Sequence, residues 1–309
     1  MPHTIAIFGS INMDLVMRVT RVPGPGETLS GESFFTVPGG KGSNQAVAVA
    51  RLGKSSGITA AMIGCVGDDA FGAQMQDSLA NDSVNLNHLT VCENTSTGVA
   101  LIMVEANGQN RIVLAEGANG KLSPASADRA EETIRNSALL MCQLETPLPG
   151  IEHVLEIAKR HHVPVVLNPA PAIPLPSSIL DKVDYLIPNE SEAALLSGLP
   201  VTDTTSAMEA AVRLLTMGPK NVLITLGEQG VLLATSDGIC EILPAFRVDP
   251  VDTTAAGDTF IGGLAVGLAE RLDIRKAIHL GQKAAAIGVT RSGAQTSIPF
   301  RHEAEAFGV

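Results

Sequence analysis

The chain has 309 residues, of which 45% are hydrophobic and only 3% aromatic, and its formal net charge is −11. This length suits one large α/β unit, and the apolar content is ample for its core. Since an acidic chain repels phosphate backbones and so few aromatic rings offer bases little to stack on, nucleic acid is excluded as a main partner.

The cysteines and the hydropathy pattern indicate the compartment. Cys65, Cys92, Cys142 and Cys240 form no CxxC pair and have no accompanying histidine cluster. Neither a disulfide framework nor a zinc site is therefore expected, which is typical of a reducing cytosol. No secretory signal opens the sequence, and no apolar stretch reaches the roughly 18–20 residues of a membrane span. We expect a cytoplasmic protein without a membrane partner.

Short apolar runs rich in β-forming residues alternate with helical patterns along the chain. In chain order we predict strand 4–9, helix 44–53, strand 59–67, helix 68–81, strand 138–145, helix 151–161, strands 163–169 and 183–190, helix 206–217, strand 221–227, and helices 256–270 and 275–291. Continuous apolar strands alternating with helices are typical of a mostly parallel sheet covered on both faces. The expected fold class is α/β, in a single domain over 1–309.

Two stretches interrupt this alternation, residues 14–37 and 96–116. They contain alternating apolar segments and turn residues, and Asn107-Gly108 between two β-prone runs is a strong hairpin signal. We expect both stretches to form a small accessory sheet. Such a sheet would serve as a lid over the ligand edge or as an interface with a second subunit.

Polar residues cluster where the predicted strands end. In open α/β sheets ligands bind beyond the carboxyl ends of the strands, so these residues are expected to form one site. They are Asn12, Asp14, Glu145, Asn168, Asn189, Glu192, Thr225, Gly227 and Asp252.

The segment GGKGSNQ (39–45) places glycines at a helix start, where backbone N–H groups can approach a ligand closely. Lys41 and Asn44 add side-chain donors, although the spacing is not that of a Walker A loop. A glycine-rich turn that only caps the helix is the alternative.

In GSINMD (9–14), Asn12 and Asp14 could bind vicinal hydroxyls, and an Asx turn explains the pattern equally well. The dinucleotide pattern GxGxxG is absent.

The segment DTTAAGD (252–258) joins small residues to a carboxylate at a predicted helix start. The helix N-terminus offers unpaired N–H groups to the negative charge of a transferred phosphoryl group. Asp258 in the first turn could accept the proton of an attacking hydroxyl. The alternative is a first-turn aspartate that only stabilises the helix.

Two further motifs have both a ligand interpretation and a structural one. TLGEQG (225–230) could lie against a nucleotide or be a plain strand-to-strand turn. NESEA (189–193) could place Asn189 and Glu192 near phosphate or hydrated Mg²⁺, or could be a helix N-cap with first-turn acids.

These motifs together resemble the ribokinases, a group of the PfkB-type carbohydrate kinase family. GSINMD, GGKGSNQAVAVARLG, MCQLETP, LNPAPA, PNESEA, TLGEQG, VDTTAAGDTF and VTRSGAQTSIP occur in the order seen in that group, over residues 4–300. The resemblance implies ATP-dependent phosphorylation of D-ribose at its 5-hydroxyl. It also implies a Rossmann-like core with a β-sheet lid that pairs two subunits into a homodimer.

The resemblance also implies roles for individual residues. Asp258 would be the catalytic base, with Ala256 and Gly257 as the anion hole. The sugar contacts would be Asn12, Asp14, Gly40, Lys41, Asn44 and Glu145, with Asp258. The ATP and Mg²⁺-linked positions would be Asn189, Glu192, Thr225, Leu226, Gly227, Glu228, Gln229, Gly230, Gly257 and Gln282. A K⁺ activator would bind, largely through backbone oxygens, at Asp252, Thr254, Gly288, Arg291, Gly293 and Ser297.

Alternative functions are a kinase for deoxyribose, fructose, another sugar or a nucleoside, a non-catalytic sugar-binding protein, and a dinucleotide oxidoreductase. Asn12 and Asp14 favour a sugar with both its 2- and 3-hydroxyls, and no aromatic platform for a base is evident. Intact Lys41, Gly257 and Asp258 argue against a non-catalytic protein. The missing GxGxxG argues against an oxidoreductase.

Overall fold

The computed structural model of the protein describes residues 3–106 and 109–308. In chain order its strands are β1 Thr4–Phe8, β2 Asn12–Val19, β3 Ser33–Gly39, β4 Thr59–Gly67, β5 Asn85–Cys92, β6 Gly98–Glu105, β7 Asn110–Ala115, β8 Ser137–Cys142, β9 Val165–Leu167, β10 Tyr185–Leu186, β11 Asn221–Thr225, β12 Val231–Thr235 and β13 Cys240–Leu243. Its α-helices are α1 Lys41–Gly53, α2 Ala70–Asn81, α3 Pro124–Arg129, α4 Glu131–Arg135, α5 Leu148–Arg160, α6 Ser177–Leu180, α7 Glu190–Ser197, α8 Thr204–Leu215, α9 Ala256–Ala269, α10 Ile274–Gly288 and α11 Arg301–Ala306. Short 3₁₀ helices lie at Lys54–Ser56, Gly117–Lys121, Gly227–Gln229 and Gln295–Ser297.

Nine strands form the large sheet, in the order β13-β12-β11-β10-β9-β8-β1-β4-β5. Neighbouring strands from β11 through β5 pair in parallel. The two pairs at one edge, β11 with β12 and β12 with β13, are antiparallel. The predicted mostly parallel sheet is therefore confirmed, with an antiparallel edge that the alternation of strands and helices did not indicate.

Helices cover both faces of this sheet, as its central strand requires. In β1 the side chains of Ile5 and Ile7 join one hydrophobic cluster, which includes α1, α9 and α10. Ala6 and Phe8 join the other, which includes α5 and α8. Because successive residues of a strand point to opposite faces, an all-apolar strand needs cover on both sides.

Four strands form the smaller sheet, in the order β3-β2-β6-β7. The two outer pairs are antiparallel, whereas β2 and β6 pair in parallel. These strands occupy the two stretches that were expected to interrupt the alternation, and they extend to Asn12 and Gly39. The predicted Asn107-Gly108 turn lies outside the described residues.

Several predicted boundaries are wrong. The strand expected over 183–190 is reduced to Tyr185–Leu186, since Pro188 has no N–H to offer a neighbouring strand. Helix α1 begins at Lys41, three residues before the predicted start. Strand β5 was missed because it is an edge strand whose residues are mostly half-buried or exposed.

All four cysteines carry free thiols. Among the helices of residues 3–106 and 109–308, none is both long enough and apolar enough to cross a membrane.

Candidate active site

The N-terminus of α9 leaves backbone donors unused. Ala255, the residue before the helix, has the left-handed φ of 58°, and the Ala256 N–H donates to the Thr253 carbonyl at 3.2 Å. Within the described chain, the N–H groups of Gly257 and Asp258 have no acceptor. A Cβ on Gly257 would meet no atom within 4 Å. Of the two expected anion-hole donors, only that of Gly257 is therefore open to a ligand.

Asp258 is buried in the first turn of α9, with 7% of its surface exposed. Its Oδ2 accepts a hydrogen bond from Asn44 Nδ2 and its Oδ1 accepts one from Gln45 Nε2, both at 3.0 Å. Both donors lie on α1. The carboxylate is thus fixed by two amides from a helix more than 200 residues away in sequence.

The glycines that follow Asp258 let α9 pack closely against its neighbours. A Cβ on Gly262 would lie 2.4 Å from Cβ of Ala48 on α1, and one on Gly263 would lie 2.7 Å from Cα of Gly281 on α10. Close packing of α9 on α1 brings Asp258 within reach of Asn44 and Gln45. The Gly-rich sequence after DTTAAGD therefore serves the site through helix packing.

The backbone N–H groups at the N-terminus of α1 donate hydrogen bonds to other parts of the protein. The Lys41 N–H donates to Glu145 Oε2 at 3.0 Å, and the Gly42 N–H donates to Ser10 Oγ at 3.2 Å. The Ser43 N–H donates to the Ser10 carbonyl at 2.9 Å, and Ser10 Oγ donates to Glu145 Oε2 at 2.5 Å. Glu145 therefore caps α1 from the end of β8.

The glycines of GGKGSNQ approach the chain itself. A Cβ on Gly40 would lie 2.6 Å from the Asn12 nitrogen, and one on Gly42 would lie 2.6 Å from the Ser10 nitrogen. These glycines bring the GSINMD segment against α1, and their close approach to a ligand stays a prediction. This contact gathers the expected sugar-binding residues in one place.

Asn12 and Asp14 are both buried on β2. Asn12 Oδ1 accepts a hydrogen bond from Asn119 Nδ2 at 2.7 Å, and Asn119 also exchanges hydrogen bonds with the backbone of Ile11. Asp14 lies against Gly39, where a Cβ would be 2.2 Å from its Oδ2. Since Asn12 Oδ1 is engaged, its Nδ2 is the atom left to donate to a ligand.

Charges crowd together around Lys41. Burial, with the charges of Glu145 and Asp258, raises the pKa of Asp14 to about 7. Burial also raises the pKa of Asp258, opposed by Lys41 and by the amides that donate to it. Burial alone would lower the pKa of Lys41, but the surrounding carboxylates outweigh it and the net pKa is raised. Lys41 therefore stays protonated, and the Asp258 carboxylate near it is suited to accept a proton.

Two adjoining cavities meet at the start of α9. The smaller, of about 250 Å³, is lined by polar and charged residues that include Lys41, Asn168, Glu192 and Asp258. The larger, of about 1140 Å³, lies between the 225–231 segment, the 245–250 segment and the helices α9 and α10. Both are lined by Thr225, Thr253, Ala256 and Gly257. A ligand that spans them would pass over the open N–H of Gly257.

Asn189 and Glu192 form the N-terminal cap of α7, and their role near phosphate or Mg²⁺ stays a prediction. Asn189 caps α7 by accepting from the Glu192 N–H at 2.9 Å, and Glu192 Oε2 accepts from the Asn189 N–H at 2.9 Å. The structural interpretation of NESEA is therefore confirmed. Both residues also line the smaller cavity, and burial raises the pKa of Glu192.

The expected nucleotide loop lies along the larger cavity. The 3₁₀ helix Gly227–Gln229 joins β11 to β12, so the strand-to-strand turn is confirmed. Gly227 and Gly230 have φ values of 54° and 109°, which favour glycine. Among the loop residues that we expected to contact a nucleotide, Leu226 differs because its side chain is buried in the hydrophobic core.

Gln282 on α10 lines the larger cavity, as expected. Its Nε2 donates to the carbonyls of Leu243 and Pro244, at 2.9 and 3.2 Å, and its Oε1 lies 3.1 Å from Nδ1 of His279. These bonds anchor the strand end after β13 to α10, so Gln282 shapes the cavity wall.

The residues expected at a cation site lie where the segment before α9 meets the end of α10 and the segment that follows it. Asp252 accepts hydrogen bonds from the Thr254 N–H and the Gly293 N–H, both at 2.9 Å. Burial would raise the pKa of Asp252, but these bonds and the charge of Arg18 hold it below its usual value. The Arg291 side chain pairs with Glu303 instead, at 2.5 Å.

Around that carboxylate the backbone turns at the end of α10. The Gly288 carbonyl accepts from the Arg291 N–H at 3.0 Å, and Ser297 Oγ donates to the Ala294 carbonyl at 2.8 Å. In the described ranges no group of three or more His, Cys, Asp or Glu is placed to hold a metal. One carboxylate among backbone carbonyls is a hard, all-oxygen donor set, which does not suit transition metals.

Sequence reasoning missed three buried amides: Gln45, Asn119 and Gln143. Gln45 binds Asp258, Gln143 Nε2 donates to Gln45 Oε1 at 2.6 Å, and Asn119 orients Asn12. Gln45 belongs to the GGKGSNQ motif, so the motif itself was a signal. Gln143 belongs to MCQLETP, another of the quoted motifs, whereas Asn119 lies outside all of them.

The fold and this site place the chain among known proteins. The family model described as pfkB family carbohydrate kinase matches residues 2–301. The chain belongs to the pfkB family of carbohydrate kinases.

Individual relatives are similar over nearly the full length. A ribokinase of Schizosaccharomyces pombe is 46% identical over 302 residues, covering 96% of this chain and 94% of that protein. A deoxyribokinase of Salmonella typhi is 40% identical over 297 residues, covering 96% and 95%. The structure of Arabidopsis thaliana ribokinase complexed with ribose and ATP has a TM-score of 0.92 and 32% identity, covering 99% of this chain and 98% of that one.

Proposed function

We propose that this chain is a ribokinase, which transfers the γ-phosphoryl group of ATP to O5 of D-ribose. The observation that carries the proposal is the placement of Asp258. Its buried carboxylate stands between the crowded polar residues of α1 and β2 and the open N–H of Gly257, where the two cavities meet. The full-length similarity to ribokinases supports ribose as the acceptor.

In the reaction Asp258 accepts the proton of the sugar hydroxyl as the hydroxyl oxygen bonds to the γ-phosphorus and the bond to ADP breaks. The Gly257 N–H and the α9 N-terminus stabilise the charge on the transferred group. Lys41 lines the smaller cavity and adds a positive charge there. The raised pKa of Asp258 makes its carboxylate a better proton acceptor than an exposed aspartate.

The sugar side offers hydrogen-bonding atoms that the protein leaves free. Asn44 Oδ1 is buried and has no partner in the described residues. Asn12 and Asp14 are two residues apart on β2 and therefore lie on one face of that strand, where the Asp14 carboxyl lies against Gly39. A buried acceptor without a partner favours a ligand rich in hydroxyls, and ribose has one more hydroxyl than 2-deoxyribose.

ATP would occupy the larger cavity, with its phosphates toward Gly257. Most of that wall is apolar or backbone, from Gly227 round to Gln282, which suits a nucleotide base and ribose. Glu192 and Asp258 supply carboxylate oxygens at the phosphate end, which fits the preference of Mg²⁺ for oxygen ligands and water. When bound, Mg²⁺ would neutralise charge on the phosphate oxygens.

The segment around Asp252 would hold K⁺. Its single ionised carboxylate and the backbone carbonyls near Gly288 and Ser297 fit a monovalent cation. When bound, K⁺ would balance the Asp252 charge. The chain contributes by tying the 252–254 turn to residue 293, so the turn that leads into α9 is held in one shape.

The smaller sheet would act as a lid and as a homodimer interface, within a single domain of 309 residues. Its strands carry exposed apolar side chains, which a second copy would cover. They are Phe34, Phe35, Leu101, Ile112, Val113 and Leu114. Sedimentation equilibrium would measure the dimer directly.

A cytoplasmic location is proposed because all four cysteines are free thiols.

The decisive experiment measures ADP release by the purified chain with MgATP and KCl. The acceptors are ribose, 2-deoxyribose, fructose, adenosine and no sugar, and a parallel series replaces KCl by tetramethylammonium chloride. We expect the highest kcat/KM on ribose and a marked fall without K⁺.

A higher kcat/KM on 2-deoxyribose would overturn ribose as the substrate and keep the kinase. If no acceptor caused ADP release although calorimetry showed that ATP binds, the enzymatic proposal would be rejected. Equal rates in K⁺ and tetramethylammonium would reject the cation site alone.

A further inference from the structure

We propose that Gln45 is a positioning residue for phosphoryl transfer: its side-chain amide holds the Asp258 carboxylate in the orientation from which it accepts the proton of the sugar hydroxyl. This inference rests on the proposed kinase function. It assigns to Gln45 a task separate from that of its neighbour Asn44.

Gln45 is fully buried and every polar atom of its side chain has a partner. Its Nε2 donates to Asp258 Oδ1 at 3.0 Å and faces Asn168 Oδ1 at 3.4 Å, and its Oε1 accepts from Gln143 Nε2 at 2.6 Å. A side chain so fully engaged has no donor left for a substrate. Gln45 therefore acts through Asp258.

The orientation of the Gln45 amide is set by a chain of hydrogen bonds that begins at a backbone carbonyl. Asn168 Nδ2 donates to the Ile187 carbonyl at 3.1 Å, which turns Asn168 Oδ1 toward Gln45. A flipped Gln45 would set its oxygen against Asn168 Oδ1 and Asp258, and its nitrogen against the nitrogen of Gln143. The contact of the flipped oxygen with Asn168 Oδ1 and Asp258 is repulsive, so only one orientation of the Gln45 amide suits these two partners.

Gln143 fits beside the first glycine of GSINMD, and within the described residues its buried Oε1 has no hydrogen-bond partner. A Cβ on Gly9 would lie 2.0 Å from Gln143 Oε1, so only glycine leaves room for this side chain. The chain of amides thus joins the ends of β8, β9 and β10 to the proposed base on α9. The base is fixed by the sheet and not by its own helix alone.

Asn44 offers a contrast on the same helix. Its Nδ2 also donates to Asp258, but its Oδ1 is buried without a partner in the described chain. Asn44 can therefore bind a sugar hydroxyl while it holds the base, whereas Gln45 can only hold the base. Loss of Asn44 should raise the sugar KM and lower kcat, and loss of Gln45 should lower kcat alone.

The test compares Gln45→Met, Gln143→Met and Asn44→Ala in the full chain. It measures kcat and KM for the best sugar of the acceptor panel, from about pH 5.5 to about pH 9, with folding followed by circular dichroism. For Gln45→Met we expect kcat at neutral pH to fall about tenfold to a hundredfold, while the sugar KM changes less than about threefold. Because Asp258 loses a donor to its charged form, the acid limb of kcat should move upward by about half a pH unit or more.

Gln143→Met is the matched control, since it removes an equally buried amide that touches Gln45 and not Asp258. A smaller loss of kcat with the same direction of pH shift is expected. If Gln45→Met does not fold, Gln45→Glu keeps the shape and should move the acid limb further upward, because two carboxyl groups would share the site.

An unchanged kcat, a loss that is equal at every pH, or a KM that rises as much as kcat falls would each overturn the inference, while an active wild-type chain would leave the proposed function standing. A wild type that is inactive on every sugar would overturn both.

Discussion

Two helix N-termini meet at the candidate active site, and the protein treats them in opposite ways. At α1 the first three N–H groups are satisfied by Glu145 and Ser10. At α9 the N–H groups of Gly257 and Asp258 are left without an acceptor in the described chain. Both ends have the same dipole and both sequences are rich in glycine. An anion site is therefore recognised by the donors that the fold leaves unused, and not by a glycine-rich helix start.

The largest expected effect comes from removing the carboxylate at the open helix end. Asp258→Asn keeps the shape of the side chain but cannot accept a proton, so kcat should fall roughly a thousandfold. Ribose binding, measured by calorimetry, should stay within a few-fold of wild type. Asp77→Asn on the exposed surface of α2 is the control and should match wild type in both measurements. Turnover close to wild type in Asp258→Asn would contradict the assignment of the base.

The second effect concerns Asp14, one of the charged residues near the N-terminus of α1. Burial raises the pKa of Asp14 from its ordinary value of 3.8 to about 7, so between these values the folded state keeps a proton that the unfolded state has already lost. Between these two pH values the unfolding free energy should therefore fall as pH rises, and it should level off above pH 7.

In the wild type, the unfolding free energy should be on the order of 2–4 kcal/mol higher at acid pH than at neutral pH because of Asp14. Asp14→Asn should remove this contribution. Urea unfolding at several pH values measures it. Parallel pH profiles in the two proteins would show that Asp14 does not titrate as stated.

The third effect contrasts two glycines of α9. A Cβ on Gly257 meets no atom within 4 Å, but it would project where the cavities join, so Gly257→Ala should lower kcat/KM for ATP roughly tenfold to a hundredfold with an unchanged Tm. Gly262→Ala would set its Cβ 2.4 Å from that of Ala48, so it should cost about 1–3 kcal/mol of stability. If Gly257→Ala lost stability and kept activity, the open helix end would not be the phosphate site.

The smallest effect concerns the orientation of Asn12. Asn119→Ala removes the donor to Asn12 Oδ1, so the ribose KM should rise about fivefold to tenfold with kcat nearly unchanged, because a hydrogen bond of about 1 kcal/mol is lost. Asn136→Ala, at an exposed position after α4, is the control for steady-state kinetics. An unaltered KM in Asn119→Ala would mean that Asn12 is held by its strand alone.

Much of the fold was predictable because its signals are local. Continuous apolar strands such as TIAIF predicted a sheet covered on both faces, and the two irregular stretches predicted the smaller sheet. The antiparallel pairing of β12 and β13 was not predicted, because the hydrophobic pattern of a strand does not depend on the direction in which it pairs. The short β10 was overestimated because hydrophobicity does not reveal where backbone pairing stops.

The candidate site was predictable as residue types and only partly as contacts. Asp258, Lys41 and Glu145 were each assigned a role from their motifs. That Glu145 caps α1, and that the Ala256 N–H is already bonded to Thr253, could not be predicted from those motifs. Gln45 and Asp258 are separated by 213 residues in sequence, so no local pattern reports their hydrogen bond.

The sequence by itself determined the α/β class, the order of the motifs and the kinds of side chain available for phosphoryl transfer. These follow from periodicity and residue chemistry, which belong to short segments. The tertiary structure alone decided which helix end is filled, which amide orients the base and which buried atoms remain for a ligand. The physical reason is that a buried polar group bonds to whichever partner packing brings within about 3 Å, and packing is set by the whole fold.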